Sequence, residues 1–375
     1  MTKFKAAALV EPGKFEIFEF PPVPVQDGGI RVKVKTGGIC GSDLHFWRGE
    51  LKPILSPGAK PGPVVLGHEL AGVVEEMGKD ISTDSLGQVL QEGDRVVFPY
   101  YFPCHRCYNC LKGEFNHCPT RFRFRGSIYD VPYCNGGFAE YFYLWPGHFV
   151  FKVPEILSNE VVAGVNCALS QVIYGWKIGG ISIGDRVVVQ GAGGLGIYAT
   201  AAAREMGASE VIVIDGQKER LELAKKCGAT QTIDINDLPS VESRVECVKD
   251  LTMGRGGDIV MEVVGYPQVV NEGIQMVRRG GAYVEVGNIW DNSNVTLDMS
   301  KIIWGQVRII PAAHYTPETL PIALDFLVAI KDKYPLGNIM SNTYPLEKIN
   351  EAFTESDWLG KKEGSSNMRS FIVME

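Results

Sequence analysis

Two patterns of apolar and polar positions divide the chain. Up to about residue 150, short apolar runs are separated by Gly and Pro, which is typical of short β-strands in a barrel or sandwich. These runs are KAAALV, IRVKVK, PVVLGHELAGVVEEMG, DRVVFPYYF and FAEYFYL. The stretch 79–92 is polar, and we expect a surface excursion there. The first part of the chain is therefore predicted to be mostly β.

From about residue 160 the pattern changes to apolar strands that alternate with helical segments. The predicted strands are RVVVQ (186–190), EVIVID (210–215), QTIDI (231–235), DIVMEVV (258–264) and AYVEVG (282–287). Predicted helices cover 197–206, 218–227, 269–279 and 321–329, and a last strand follows at RSFIVM. Buried strands that alternate with helices indicate a parallel sheet built from βαβ units.

Length, charge and composition narrow the class of protein. The 375 residues suggest two domains or one large domain, and a net charge of −7 offers no general basic surface for nucleic acid. The longest uncharged run, 187–203, has 17 residues with four glycines and is slightly short for a membrane span. Lysines near the N-terminus meet Glu11 and Pro12 too soon for a signal peptide. We expect a cytoplasmic protein with neither a nucleic-acid nor a membrane partner.

A glycine pattern follows the first strand of the second part. RVVVQ leads into Gly191-Ala-Gly193-Gly-Leu-Gly196 and then a predicted helix, an order typical of dinucleotide sites. Gly191 permits the tight turn, Gly193 admits a pyrophosphate, and Gly196 allows helix and strand to pack closely. The next strand ends in Asp215, whose carboxylate can bond a ribose diol and repels the 2′-phosphate of NADP. The expected cofactor is NAD, although Lys218 and Arg220 could offer a cation to that phosphate. The predicted coenzyme-binding residues are Gly191, Gly193, Gly194, Leu195, Gly196, Asp215 and Arg220. The alternative is a glycine-rich turn that binds nothing.

Four of the nine cysteines form a compact cluster. In a cytoplasmic chain, disulfides are not the expected use of cysteine. The spacing Cys104-x2-Cys107-x2-Cys110-x7-Cys118 suits four thiolates around a structural zinc with no open position. An iron–sulfur cluster shares the first two spacings and remains the alternative.

Three isolated residues suggest a second metal site. Cys40 lies in GGICGSDLHFW, His68 in VVLGHELAG and Cys167 in GVNCALS. Two thiolates and one imidazole would leave a fourth zinc position open for Lewis-acid chemistry on an alcohol. Each residue alone is more often structural, so the case rests on their combination with the dinucleotide site.

Taken together, these motifs resemble the zinc-dependent medium-chain alcohol dehydrogenase family. The matching elements cover most of the chain: Cys40-Gly-Ser-Asp-Leu-His45, Gly67-His68-Glu69, the cysteine quartet, Cys167 and the Gly191–Gly196 loop. The resemblance implies an α/β protein with a β-rich GroES-like catalytic domain (1–168 and 311–375) and a Rossmann coenzyme domain with a parallel sheet (169–310). It also implies two zinc ions per chain, NAD, and a homodimer or homotetramer.

The resemblance also implies an active site in the cleft between the two domains. It assigns a role to each matched residue of that cleft. Cys40, His68 and Cys167 match the catalytic zinc ligands, and Glu69 matches an acid beside the metal that can sometimes coordinate it. Asp43 matches an acid that orients the liganding histidine. Ser42 matches the hydroxyl that bonds the reacting oxygen, and His45 the outer end of a proton relay.

The implied reaction interconverts an alcohol and its ketone or aldehyde by hydride transfer to or from NAD. Aromatic residues near the metal motifs favour a secondary, cyclic or bulky alcohol as the small-molecule substrate. They are Trp47, Tyr100, Tyr101 and Phe102, of which Tyr100 matches a family pocket position. Cys167 stands where polyol-specific relatives often have a carboxylate, which favours the ordinary alcohol branch.

Several alternatives stay open at this point. The enzyme alternatives are a polyol dehydrogenase and a zinc-free quinone or enoyl reductase, and the non-enzyme alternative is an inactive nucleotide-binding redox sensor. The alternation Arg121, Arg123, Arg125 fits either contact with an anionic substrate or, as the favoured interpretation, a solvated strand face.

Overall fold

The fold is described from a computed structural model that covers residues 3–133, 135–359 and 368–374. The strands are β1 (Phe4–Glu11), β2 (Lys14–Phe20), β3 (Ile30–Gly38), β4 (Val64–Val65), β5 (Glu69–Met77), β6 (Arg95–Val97), β7 (Tyr141–Leu144), β8 (Phe151–Lys152), β9 (Arg186–Gln190), β10 (Glu210–Asp215), β11 (Gln231–Asp234), β12 (Gly257–Glu262), β13 (Val277–Glu285), β14 (Arg308–Pro311), β15 (Met340–Pro345) and β16 (Arg369–Val373). The α-helices are α1 (Gly41–Trp47), α2 (Tyr108–Leu111), α3 (Asn159–Val162), α4 (Ser170–Gly179), α5 (Gly194–Glu205), α6 (Lys218–Lys226), α7 (Val241–Leu251), α8 (Gln268–Met276), α9 (Met299–Gly305), α10 (Thr319–Ile330) and α11 (Ile349–Leu359). A π-helical turn, Val165–Leu169, runs directly into α4.

A six-stranded parallel sheet forms the second half of the fold, in the order β11-β10-β9-β12-β13-β14. Its central strand β9 is an apolar run because both of its faces are covered. Val187 and Val189 pack in the cluster that includes α4, α5 and α10. Val188 packs on the other face with α7 and α8. The predicted α/β class with a parallel sheet is confirmed.

The first half is built from mainly antiparallel sheets. A three-stranded sheet has the order β2-β1-β4, and a seven-stranded sheet the order β15-β16-β3-β5-β6-β8, with β7 also paired to β3. Strand β16 pairs antiparallel with β3, which returns the end of the chain to the N-terminal half. The exact domain limits, 1–168 with 311–375 and 169–310, stay a prediction.

Individual boundaries show where periodicity alone misleads. Strands β9 and β10 span the predicted 186–190 and 210–215, because their side chains are apolar throughout the buried part. The predicted helix 269–279 is wrong at its end, since α8 stops at Met276. Val277 has extended backbone and pairs with Gly257 of β12, so the sheet takes over residues that also fit the helical pattern.

The predicted surface excursion 79–92 contains no named helix or strand. Its buried anchor is Asp84, whose Oδ1 accepts hydrogen bonds from the backbone N–H of Leu86 (2.8 Å) and Gln88 (2.9 Å). Asp84 Oδ2 accepts from the backbone N–H of Lys152 at 3.0 Å, which ties the excursion to β8. Among the described residues, no helix is both long enough and apolar enough to cross a membrane.

Candidate active site

Four side chains from three separate segments meet beside the junction of the two halves. The ligand atoms of Cys40, His68, Glu69 and Cys167 all lie within 4.8 Å of one another. Cys40 precedes α1, His68 directly precedes β5, which begins at Glu69, and Cys167 lies in the π-helical turn. The structure therefore brings together the three predicted ligands and the acid predicted beside them.

Two glycines allow the side chains of the cluster to come close together. Gly67 has a φ of +90°, a left-handed conformation that places His68 at the start of β5. At Gly38, a Cβ atom would lie 2.7 Å from Glu69 Oε2. Any side chain at residue 38 would therefore displace the carboxylate from the cluster.

Asp43 fixes two of the segments that carry the cluster. Its Oδ2 accepts a hydrogen bond from the backbone N–H of Cys40 at 2.9 Å, and its Oδ1 accepts from Gly67 N–H at 3.3 Å. Oδ1 also lies 3.5 Å from His68 Nδ1. With Nδ1 facing the carboxylate, Nε2 of His68 remains as the lone-pair nitrogen for a metal.

Glu69 pairs with a cation from the far end of the sequence. Its Oε2 forms a buried ion pair with Arg369 Nη1, at the start of β16. Glu69 Oε1 is buried and has no hydrogen-bond partner among the residues that the structure describes. Burial raises the pKa of Glu69 to about 7, although Arg369 opposes the shift.

The electrostatics of the cluster favour a bound cation. The hydrogen bond with Cys167 lowers the pKa of Cys40 well below its usual range, and nearby His68 adds to this against the effect of burial. The same hydrogen bond raises the pKa of Cys167 well above its ordinary value. Burial disfavours the charged form of His68, yet Asp43 and Cys40 raise its pKa well above normal. The surroundings of Cys40 therefore favour its thiolate form, which is the form that binds a metal ion.

Ser42 and His45 follow one another along α1. Ser42 is half-buried in the first turn, next to Cys40. His45 lies one turn later, on the same side of the helix, with Nδ1 at 2.5 Å from Glu50 Oε2. Its ring stacks on Trp290, which follows β13, at 6.2 Å between centroids. The two residues lead from the cluster toward the rim of the cleft.

The glycine loop begins α5 at the end of β9. Gly191 has a φ of +97°, and a Cβ at Gly193 would meet no atom within 4 Å, so the backbone there is open to a ligand. A Cβ at Gly196 would lie 1.9 Å from the carbonyl oxygen of Gly191. Helix α5 has 12 residues and starts at Gly194, followed by Leu195. Its free N–H groups suit a phosphate.

The two charged residues of the predicted coenzyme set occupy different places. Asp215 Oδ2 accepts from the backbone N–H of Ala192 in the loop at 2.7 Å, and Oδ1 from Gln217 N–H at 2.8 Å. Arg220 lies on α6, and its Nε is buried with no hydrogen-bond partner among the described residues. Asp215 therefore links the glycine loop to the end of β10, and its contact with a ribose stays a prediction.

The cysteine quartet forms a second cluster. The sulfurs of Cys104, Cys107, Cys110 and Cys118 lie within 4.8 Å of one another. Cys104 Sγ is 4.0 Å from Cys110 Sγ, and the backbone N–H of Cys104 points to Cys118 Sγ at 3.3 Å. Four sulfurs at this separation match a closed tetrahedral ion site. Cys134 lies outside the described residues.

Comparisons with known proteins agree with both halves of this arrangement. The family model described as "Alcohol dehydrogenase GroES-like domain" matches residues 26–155, and "Zinc-binding dehydrogenase" matches residues 194–329. The chain is 30% identical over 349 residues to 5-exo-hydroxycamphor dehydrogenase of Pseudomonas putida, covering 93% of this chain and 94% of that one. It is 31% identical over 341 residues to D-xylulose reductase A of Aspergillus oryzae, covering 90% and 89%. The chain belongs to the zinc-binding alcohol dehydrogenase family.

A solved structure supports the same assignment. An alcohol dehydrogenase from Thermotoga maritima superposes with a TM-score of 0.88 at 28% identity and covers 100% of both chains. The chain is therefore an oxidoreductase of this family, and the expected zinc and nicotinamide cofactors are those of the family.

In this dehydrogenase, only one of the four predicted aromatic residues adjoins the cluster. The Tyr100 ring lies 4.9 Å from the His68 ring, and its hydroxyl is 2.9 Å from His314 Nδ1. Tyr101 and Phe102 are core residues, and Trp47 packs 6.0 Å from Phe353. Fewer aromatic residues therefore line the site than the sequence predicted, since Tyr100 is the one of the four that lies beside the cluster.

Sequence reasoning missed three residues of the cleft: Trp290, His314 and Arg369. Arg369 is quoted in the predicted strand RSFIVM, but its partner Glu69 is 300 positions away. It also reaches the glycine loop, since a Cβ at Gly194 would lie 2.8 Å from Arg369 Nε. The one sequence feature that could have identified Arg369 is a positively charged residue at the start of the apolar strand RSFIVM.

The favoured interpretation of the alternating arginines is wrong. Residues 121–124 lie in turns rather than in a strand, and Arg121, Arg123 and Arg125 are all half-buried. Their guanidinium groups lie over the rings of Phe122 and Phe124, because the turns of this segment bring each arginine beside a neighbouring aromatic residue.

Proposed function

We propose that this dehydrogenase oxidises a secondary, cyclic or bulky alcohol with NAD, and carries out the reverse reduction, at a zinc ion held by Cys40, His68 and Cys167. The observation that carries the proposal is the convergence of these three side chains beside a glycine loop. Two sulfurs and one imidazole are a donor set that zinc prefers, and they leave one position open.

The residues present fit such an ion. The thiol groups of Cys40 and Cys167 are buried side by side, and Asp43 leaves His68 Nε2 free. Glu69 Oε1, buried without a partner among the described residues, can approach the ion or stay paired with Arg369 through the other oxygen. The chemistry that zinc supplies in an open site is Lewis-acid activation of an alcohol oxygen.

The proton of the alcohol would leave along α1. Ser42, next to Cys40, is placed to accept it through its hydroxyl, and His45 one turn later would pass it to solvent at the rim. Glu50, with its Oε2 at 2.5 Å from His45 Nδ1, would hold the orientation of the imidazole ring during the transfer. Asp43 takes no proton in this account and instead positions His68.

The coenzyme would lie along the glycine loop. Gly191, Gly193 and Gly196 leave the backbone open to its pyrophosphate, with Gly194 and Leu195 at the helix start. Asp215 would bond the ribose diol, which favours NAD over NADP by charge repulsion. Arg220 is proposed to face the adenosine end from α6, and its buried Nε has no hydrogen-bond partner among the described residues. NAD supplies the hydride acceptor when bound.

The quartet Cys104, Cys107, Cys110 and Cys118 is proposed to hold a second, structural zinc. The sequence also allowed an iron–sulfur cluster, but a closed set of four thiolates suits zinc, and zinc is named by the family model that matches residues 194–329. We also propose a cytoplasmic homodimer or homotetramer. The 76% exposure of the Trp304 side chain on α9, beside the edge strand β14, supports an interface between copies.

A polyol is the second candidate substrate. It is favoured by the 31% identity to D-xylulose reductase A, whereas the relative named for hydroxycamphor favours a cyclic alcohol. The presence of two metal-type clusters argues against a zinc-free reductase, and the intact Ser42 and His45 argue against an inactive sensor.

The test combines metal analysis with a substrate panel. Zinc-loaded protein should contain about two zinc ions per chain and oxidise a cyclic secondary alcohol with NAD faster than ethanol or a linear polyol. Failure to oxidise any member of a panel of primary, secondary, cyclic and polyol substrates would contradict the proposed function. A clear preference for polyols would select the second candidate.

A further inference from the structure

A pocket that is open to solvent lies beside the metal-ligand cluster. Its lining includes Asp43, His68 and Arg125, together with apolar residues such as Ile54 and Val64. The pocket therefore offers a guanidinium group to a molecule that reaches His68. Arg125 is therefore a candidate binding group for a part of the substrate that carries negative charge.

Arg125 is paired with no carboxylate among the residues that the structure describes. Its guanidinium lies 4.0 Å from the centroid of the Phe122 ring. Within the described part of the chain, it makes no ion pair and donates no side-chain hydrogen bond. The nearby carboxylate of Asp43 is already engaged by Cys40 N–H, Gly67 N–H and His68. Burial lowers the pKa of Arg125 to about 10, which leaves it charged at neutral pH.

A second cation lies on the same aromatic ring. The Arg121 guanidinium is 4.9 Å from the Phe122 centroid, and its Nη1 donates to the Cys118 carbonyl at 3.2 Å. Arg121 Nε is buried with no partner among the described residues. His314, whose ring is 5.4 Å from that of Phe122, adds no further positive charge, because burial lowers its pKa to about 3 and keeps it neutral.

A half-buried cation without a paired anion is stabilised by a ligand that supplies the negative charge. We propose that the substrate of this dehydrogenase is an alcohol that carries a carboxylate, and that Arg125, with Arg121 behind it, binds this carboxylate while the hydroxyl faces the metal-ligand cluster. The planar guanidinium fork matches the two oxygens of a carboxylate, and stacking on Phe122 fixes the plane of the fork. The inference rests on the proposed function and specifies its substrate class.

The test compares alcohols in matched pairs that differ only in charge. The pairs are 4-hydroxycyclohexanecarboxylate with its carboxamide, and 4-(hydroxymethyl)benzoate with its carboxamide. Catalytic efficiency with NAD is measured for each member in the parent protein, in Arg125→Gln and in Arg123→Gln. Arg123 is the matched control, because its guanidinium instead donates to the Phe102 carbonyl at 3.0 Å and lies over Phe124.

The parent should prefer the carboxylate in at least one pair by about 10- to 100-fold, the usual effect of a charged hydrogen bond. Arg125→Gln should abolish that preference, and Arg123→Gln should retain it. Because the readout is a ratio of efficiencies on one sample, a fraction of unfolded protein does not alter it. Calorimetric titration of cyclohexanecarboxylate into the zinc-loaded protein with NAD should show the same loss of affinity in Arg125→Gln.

Three outcomes would overturn the inference. Equal efficiencies for the charged and neutral members would show that the alcohol reaction stands without an anion subsite. A carboxylate preference that survives Arg125→Gln would place the contact elsewhere, for example on the metal. A stronger preference for 4-hydroxycyclohexyl phosphate, in which a phosphate replaces the carboxylate and the hydroxyl stays free, would show that the subsite binds phosphate instead of carboxylate. If no alcohol is oxidised but the affinity for cyclohexanecarboxylate still depends on Arg125, the proposed function is contradicted. The carboxylate subsite would still be supported in that case.

Discussion

Asp43 illustrates how one residue organises the cluster. Its carboxylate accepts two backbone N–H groups and faces His68 Nδ1, so it holds two ligand segments in register. Such a carboxylate could be assigned from the sequence only through the motif Cys40-Gly-Ser-Asp. Arg369 could not be assigned, because nothing near it in sequence shows that β16 returns to β3.

The first prediction at this scale concerns the proton path. His45→Ala should leave both metal sites filled but slow alcohol oxidation by on the order of 100-fold, since a general base is removed. The loss should be greatest at low pH, where solvent bases accept a proton least readily, and added imidazole should restore part of the rate. The measurement is the pH profile of kcat. A profile that coincides with that of the parent would show that the proton leaves by another route.

The second concerns the choice of coenzyme. Asp215→Asn keeps an oxygen that can accept from Ala192 N–H but removes the charge, so the preference for NAD over NADP should fall by about 10-fold or more. Asp215→Gly should shift the ratio the same way and also weaken both coenzymes, because the loop loses its hydrogen bonds. Catalytic efficiency with each coenzyme checks this. Asp234→Asn, at the end of the adjacent β11, is the control. A parent that prefers NADP would refute the role given to Asp215.

At the scale of elements, the sequence predicts the limits of a strand or helix best where the whole segment has the same surroundings. β9 and β10 lie between helices on both faces, so their apolar runs define their length. The end of α8 was mispredicted because Val277 satisfies both a helical pattern and a strand pairing. The turns at 121–124 were missed because alternating charges also fit a strand, and only the aromatic contacts of the fold decide between them.

The segment that carries the cysteine quartet forms little regular structure apart from the four-residue α2. Its folding should therefore depend on the bound ion. Cys107→Ser should remove one zinc per chain and lower Tm before it affects the chemistry, since metal binding there is coupled to local folding. Cys247→Ser on α7, far from both clusters in sequence, is the control and should retain both ions. Zinc content and thermal unfolding are measured together. An iron–sulfur absorption spectrum from protein purified without oxygen would contradict the zinc assignment.

At the scale of the whole molecule, the active site depends on contacts between the two halves. Glu69 of β5 meets Arg369, which also lies against the start of α5, and His45 of α1 stacks on Trp290. The order of the motifs predicted which residues would meet, and the resemblance supplied the cleft between the halves. Neither the sheet pairing of β16 nor the room at Gly38 could be obtained from the sequence, because both depend on segments distant along the chain.

The central claim is that an ion held by Cys167 together with Cys40 and His68 performs the alcohol chemistry. The most direct measurement is zinc per chain and NAD-dependent alcohol oxidation in the parent and in Cys167→Ser, with NAD binding measured on both. We predict about two zinc ions in the parent and about one in the variant. The turnover of the variant should be at least about 100-fold lower, with NAD binding retained. Unchanged turnover with full zinc occupancy in Cys167→Ser would contradict the account.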